Sequence, residues 1–164
     1  MKKYRVLLLG LWLLVIAIAV MIFLFSAMEG PTSMKTSDGL TYWLIRLTHP
    51  GYDALTAKEK RIIYSQYVVY VRKVAHFTEF AMLGASLRML FQALRLRHPV
   101  VCAWLAGTLY ACTDELHQHF VGTRSAMIQD VGIDSCGVLA GVLLISLILY
   151  VRRRKKKTQE SKFS

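Results

Sequence analysis

The chain has 164 residues, 55% hydrophobic and 19% charged, with a formal net charge of +11. A soluble domain averages about 45–50% apolar and about 25% charged residues, so this chain is too apolar for one, and 10 Gly with 3 Pro exclude collagen-like and low-complexity proteins. The basic excess alone would suit a nucleic-acid binder, but the basic runs flank apolar segments and show no aromatic–basic interleaving, so no nucleic acid is expected as a partner.

The first apolar segment, 6–26, reads VLLLGLWLLVIAIAVMIFLFS without a charge. At 1.5 Å per residue it crosses a hydrocarbon core of about 30 Å. Lys2, Lys3 and Arg5 before it resemble the start of a signal peptide. The run is longer than a signal-peptide core, however, and Phe25-Ser26-Ala27 makes a poor cleavage site, so an uncleaved anchor is expected. Next, Leu40, Trp43, Leu44 and Leu47 have the spacing of a short interfacial helix. Thr56-Ala57-Lys58-Glu59 is a capping box. A helix from there to Leu94 exceeds the bilayer, so its first four turns, with Ile62, Ile63, Tyr67 and Tyr70, are expected outside it or along its surface. The second span, 74–94, is interrupted by His76, Glu79 and Arg88; the third covers 100–120 and the fourth 131–151, with a basic tail over 152–164.

Charge placement sets the orientation. With a cytoplasmic N-terminus, the inner segments hold most of the 21 basic residues against one acid, Glu160, and the other acids lie outside or at outer helix ends. The expected fold is an all-α, multi-pass cell-membrane protein of about four transmembrane helices. Both termini are cytoplasmic, one outer connection is amphipathic, and 1–164 forms a single domain. Cys102, Cys112 and Cys136 fall within apolar helices; an odd number there argues against a disulfide framework and for buried small hydrophobes. Gly137-x-x-x-Gly141 is a small-residue helix contact, and Arg88 is placed to snorkel toward cytoplasmic headgroups.

Ionisable residues gather at the outer helix ends. Arg72, His76 and Glu79 share one face of the second span, with Lys73 and Phe80 beside them. Asp114 and His117 share a face of the third, and Glu115 and His119 the next, with Gln118 between; Arg124 and Ser125 follow, then Asp130 and Asp134 four apart on the fourth. A charge at the bilayer centre costs about 2.5–3.5 kcal/mol, so these are expected to face inward and pair: Arg124 with Asp130 or Glu115, His76 with Glu79 or Asp114. Such a set can simply hold helices together through hydrogen bonds; its concentration on one side favours a binding site.

This pattern resembles the VanZ-like membrane proteins. The resemblance rests on Arg72-Lys73-Val74-Ala75-His76-Phe77-Thr78-Glu79-Phe80, Leu83-Gly84, Asp114-Glu115-Leu116-His117-Gln118, Phe120, Arg124-Ser125, Asp130-Val131, Asp134, Gly137 and Gly141. Many members read Pro-Gly-Arg before the serine, where this chain has Gly122-Thr123-Arg124. The resemblance implies a multi-helix membrane protein of the bacterial envelope. The family's name-giving member is associated with reduced susceptibility to teicoplanin, without an assigned reaction.

Two functions compete. In the first, the cluster binds a lipid-linked or wall component, holding a phosphate or peptide carboxylate through Arg72, Arg124 and the histidines. In the second, an intramembrane hydrolase or transferase acts on a lipid headgroup. His76, His117 and Asp114 are then candidate metal ligands and Glu115 a general base, although no H-E-x-x-H or G-x-S-x-G is present. A proton- or ion-coupled carrier is disfavoured, because the charges sit at one rim instead of the midplane. Membrane lipid is an expected partner throughout, and the tail attracts anionic lipid at about 1 kcal/mol per basic residue.

Overall fold

A computed structural model describes residues 1–27, 31–121 and 128–162. Five helices make up almost all of it: α1 Lys2–Ala27, α2 Pro31–Thr48, α3 Ala57–Ala93, α4 Pro99–Val121 and α5 Ile128–Lys162, with a 3-10 turn at Tyr52–Ala54 between α2 and α3. No strand occurs among the described residues, and the all-helical expectation holds.

Side-chain contacts give the helix directions. The Tyr4 hydroxyl donates to the Ala93 carbonyl at 2.7 Å, tying the start of α1 to the end of α3. The Tyr110 hydroxyl donates to the Ala19 carbonyl at 2.6 Å, and Ser26 donates to Asp114 at 3.1 Å, so α1 and α4 run in parallel. On the other pair, Phe77 meets Gly137, Ala81 meets Gly141, and Arg88 bonds Ser146 at 2.9 Å. Hence α3 and α5 are parallel to each other and antiparallel to α1. α3 is the hub: it packs on every other helix, most extensively on α5.

The α3–α5 seam is made backbone to backbone. A Cβ on Gly137, Gly141 or Gly84 would run into the carbonyl of Phe77, Ala81 or Val138 respectively. Only hydrogen fits at these three positions, and the small-residue motif expected from the sequence lies within this contact. Around it Phe80, Leu83, Leu87 and Leu90 of α3 interlock with Val138 and Val142 of α5, Ala103 and Ala111 of α4, and Val15 and Ile22 of α1. Against lipid tails such burial yields no hydrophobic gain, so close fit supplies the association.

Two helices, α1 and α5, are long and apolar enough to cross a membrane, and only 11% and 28% of their most apolar windows are buried within the protein. Leu9, Leu13, Ile16, Val20 and Leu24 of α1 are all at least half exposed, more contiguous apolar surface than soluble monomers show. Four spans are expected from the sequence; by length and composition the described residues supply two. α3 and α4 fall short because ionisable residues interrupt their apolar runs: His76, Glu79 and Arg88 in one, Asp114 and Glu115 in the other.

Other expectations are sharpened or corrected. The capping box at the start of α3 is present: Thr56 Oγ1 accepts from the Glu59 amide and the Glu59 carboxylate accepts from the Thr56 amide at 2.9 Å. With 37 residues, α3 is about 55 Å long, and its first half carries α2. The expected short interfacial helix extends to 18 residues. It buries Thr41 and Ile45 and leaves Leu40, Trp43 and Leu47 exposed. Arg88 does not snorkel: it is 6% exposed and hydrogen-bonds Ser146 and Gln92. Cys112 and Cys136 are exposed and Cys102 half-buried, so none is a core hydrophobe. The basic tail continues α5 as helix instead of forming a separate segment.

Candidate functional site

The antiparallel arrangement brings the end of α1, the middle of α3, the end of α4 and the start of α5 to one end of the bundle. Arg72, Lys73 and His76 of α3, Glu115 and Gln118 of α4, and Asp130, Ile133 and Asp134 of α5 line a single crevice there, ≈ 260 Å³ with its open mouth included. Six of the ten residues singled out from the sequence therefore meet in one place: Arg72, His76, Glu115, Gln118, Asp130 and Asp134.

A two-rung ladder crosses the α3–α5 seam. Lys73 Nζ lies 3.4 Å from Asp130 Oδ1, and His76 Nδ1 lies 3.8 Å from Asp134 Oδ1. On α5 the two aspartates are one turn apart and repel each other; the α3 groups, three residues apart, offset that. Because the helices are parallel, the lower-numbered rung joins lower-numbered residues, and the register is set next to it where Gly137 rests on Phe77. Asp130 also sits in the first turn of α5, where the helix dipole favours a carboxylate. Both rungs are longer than a good hydrogen bond. Asp130 Oδ1 and Asp134 Oδ1 are buried and make no hydrogen bond among the described residues.

Behind the crevice lies a second, tighter network. Gln118 Nε2 donates to Ser26 Oγ at 2.5 Å and to Asp114 Oδ2 at 3.0 Å, and Ser26 Oγ donates to the same carboxylate oxygen at 3.1 Å. Asp114 is 3% exposed, so a buried carboxylate is anchored by neutral donors from two helices. Ser26 and Lys73 belong to the site and were not among the residues singled out for it. Ser26 is the final polar residue of an apolar run, and only the knowledge that the α1 and α4 ends coincide gives it meaning.

Across the α3–α5 seam His76 faces Asp134, a partner outside the expected pairing with Glu79 or Asp114. Glu79 is half-buried on α3 and does not line the crevice. His117 turns toward α1, its ring stacked on Phe23 with centroids 4.4 Å apart, and its buried Nε2 has no hydrogen-bond partner among the described residues. Arg124 and Ser125, and the expected pairing of Arg124 with Asp130 or Glu115, lie outside the described residues. His76 thus faces Asp134, His117 faces Phe23, and Asp114 is held by Ser26 and Gln118. Among the described residues no group of three or more His, Cys, Asp or Glu side chains is placed to hold a metal ion.

Chemically, the crevice offers two fixed cations, Arg72 and Lys73, beside carboxylate oxygens with open lone pairs. That combination suits a polar group that carries negative charge and also donates hydrogen bonds. A family model described as VanZ/LLP1 matches residues 11–149, a stretch containing every crevice residue. No curated protein and no solved structure matches the chain significantly.

Proposed function

Since the chain belongs to the VanZ/LLP1 family and is a membrane protein, we propose that it is a multi-pass protein of the cell membrane whose crevice binds the polar part of a lipid-linked or cell-wall component. In this reading α1, α3, α4 and α5 cross the bilayer, α3 and α4 shielding their ionisable residues inside the bundle. Both termini are cytoplasmic, and the crevice opens at the outer end. The observation that carries it is the convergence of buried and half-buried ionisable groups from three helices on one crevice. The basic residues at the start of α1, the α3–α4 turn and the end of α5 lie at the opposite end of the bundle. That segregation supports the orientation expected from the distribution of basic residues.

A purely adhesive role would fill the polar atoms with one another, whereas Asp130 Oδ1 and Asp134 Oδ1 meet their α3 partners only at 3.4 and 3.8 Å and accept no hydrogen bond among the described residues. The metal-assisted hydrolase or transferase is not favoured, because its candidate ligands do not converge among the described residues. Residues Arg152–Lys156, all exposed, suit contact with anionic lipid. Because the family's name-giving member is associated with teicoplanin susceptibility, occupation of the crevice by a wall precursor would alter glycopeptide susceptibility, measurable as inhibitory concentration in a deletion strain.

Topology is tested first. In a chain with Cys102, Cys112 and Cys136 replaced by alanine, a membrane-impermeant maleimide applied to intact cells labels Ser65→Cys and spares Thr158→Cys; the reverse pattern refutes the orientation. Occupancy is then read by a photoreactive amino acid at Ile133. A lipid-linked or wall-derived adduct that disappears with Asp134→Asn supports the reading, and an adduct profile unchanged by that substitution removes it.

A further inference from the structure

A second recess lies between α2 and the first half of α3, enclosing ≈ 730 Å³ with its mouth and lined by Tyr42, Arg46, Tyr52, Asp53, Lys60, Arg61 and Tyr64. From Tyr64 to His76 is about 18 Å along α3, so this recess is separate from the crevice. Its walls are held in place. The Tyr42 and Tyr64 rings pack with centroids 5.1 Å apart, and the Tyr64 hydroxyl is tied to Asp38 of α2. Tyr52 is buried, its hydroxyl reaching the Lys60 carbonyl at 3.4 Å, and Lys60 Nζ donates to the Asp53 carbonyl at 2.8 Å while lying over the Tyr52 ring.

The charges are one-sided. Arg46, Lys60 and Arg61 face a recess whose lining contains one carboxylate, Asp53. Neither Arg46 nor Arg61 forms an ion pair or hydrogen bond among the described residues. Lys60 uses a single donor of its three on the Asp53 carbonyl. Two guanidinium forks and an ammonium without anionic partners match a phosphate, which guanidinium binds in bidentate fashion. The tyrosine rings add flat apolar walls bearing hydroxyls, suited to the face and edge of a polyol ring.

We propose that the α2–α3 recess is a second binding site, taking a phosphate ester of a polyol ring through Arg46, Lys60 and Arg61 with the tyrosines as walls. Such a group occurs in a lipid headgroup and in a free sugar phosphate, and the experiment separates the two. The purified full chain in detergent is titrated with glucose 1-phosphate by calorimetry, and its retention of phosphatidylinositol over phosphatidylcholine is read by native mass spectrometry. Arg46→Gln with Arg61→Gln is expected to weaken whichever ligand binds at least tenfold, while Lys58→Gln, exposed on α3 outside the recess, leaves it unchanged. Loss of phosphatidylinositol retention assigns a lipid; loss of the calorimetric signal assigns a soluble ester. Should the double variant not fold, Tyr42→Ala replaces it with the same expected loss. Wild-type chain that binds neither probe, or variants that bind as wild type does, overturn the proposal. These readouts are independent of the adduct at Ile133, so this site and the crevice stand or fall separately.

Discussion

Replacing Gly141 by alanine tests whether the α3–α5 seam holds the crevice in register. The new methyl would collide with the Ala81 carbonyl oxygen and lie 2.8 Å from the carbon of that carbonyl and 2.9 Å from the Ala85 nitrogen, where ordinary contact begins at 3.4 Å. The helices must therefore part by at least half an ångström, more where the carbonyl oxygen is met, and a gap of about 0.5–1 Å forfeits about a quarter to a half of each dispersion contact of about 0.1–0.2 kcal/mol. Over roughly forty contacts, about what one buried leucine makes, the loss is about 1–4 kcal/mol, in line with the usual overpacking cost of about 1–3 kcal/mol. Alanine's better helix propensity returns about 1 kcal/mol. Gly132 on the same helix is the control: a Cβ there meets nothing within 4 Å, so Gly132→Ala keeps the propensity gain alone. The two variants should differ by about 2 kcal/mol, or about 4–8 °C in melting temperature for a chain of this size. Tryptophan fluorescence during thermal unfolding in one detergent measures it. A Gly141→Ala variant that melts at or above Gly132→Ala would refute the packing argument.

Other outcomes follow from single contacts. Ser26→Ala removes the hydroxyl that Asp114 and Gln118 share and should lower stability by about 1–3 kcal/mol, read as a lower melting temperature that Ser26→Thr partly restores. Thr56→Ala should speed amide exchange in the first turn of α3 about fivefold, the equivalent of a lost cap of about 1 kcal/mol. The Thr56 hydroxyl, with the Thr56 amide, holds the Glu59 carboxyl below its usual range. The cap's stabilising share is therefore full above the ordinary carboxylate pKa and fades as pH falls through the lowered one, a loss of exchange protection in acid that Thr56→Ala abolishes. The hydrogen bond to Asp38, helped by burial, pushes the Tyr64 hydroxyl up to about 12. Its contribution is complete below about pH 10 and is lost as pH rises toward 12; tyrosinate absorbance should show a late-titrating component that Asp38→Ala shifts back toward the ordinary range.

Much of the architecture is legible in residue patterns because each pattern is local. The apolar run of α1, the Thr56–Glu59 box and the glycine spacing on α5 each describe one helix, and each survives in the structure. Facing partners are a different kind of fact. Periodicity puts His76 and Glu79 on one side of α3, but it does not say that α5 runs parallel there, and that direction selects Asp134 for His76 and Asp130 for Lys73. Ser26 escaped for the same reason, since its role exists only where α1 and α4 end together. Arg88 was misplaced because a cation near a helix end has two outlets, the interface or a hydroxyl on a neighbour, and Ser146 lies 58 positions away in the chain. The interfacial helix was underestimated because the apolar spacing that marks it covers only its second half.

The unbroken course of α5 has a consequence for its basic end. Successive residues of a helix step round its axis by 100°, so Arg152 to Lys156 project in every direction from one stiff rod. A flat amphipathic segment would press a single charged side against a bilayer and leave the other in water. Here the positive side chains form a ring about the axis, like a washer on a bolt, open to anionic groups from all round. Under the proposed contact with anionic lipid, such a ring would hold the helix against sliding along its own length, and its rotation would be left to the glycine seam with α3.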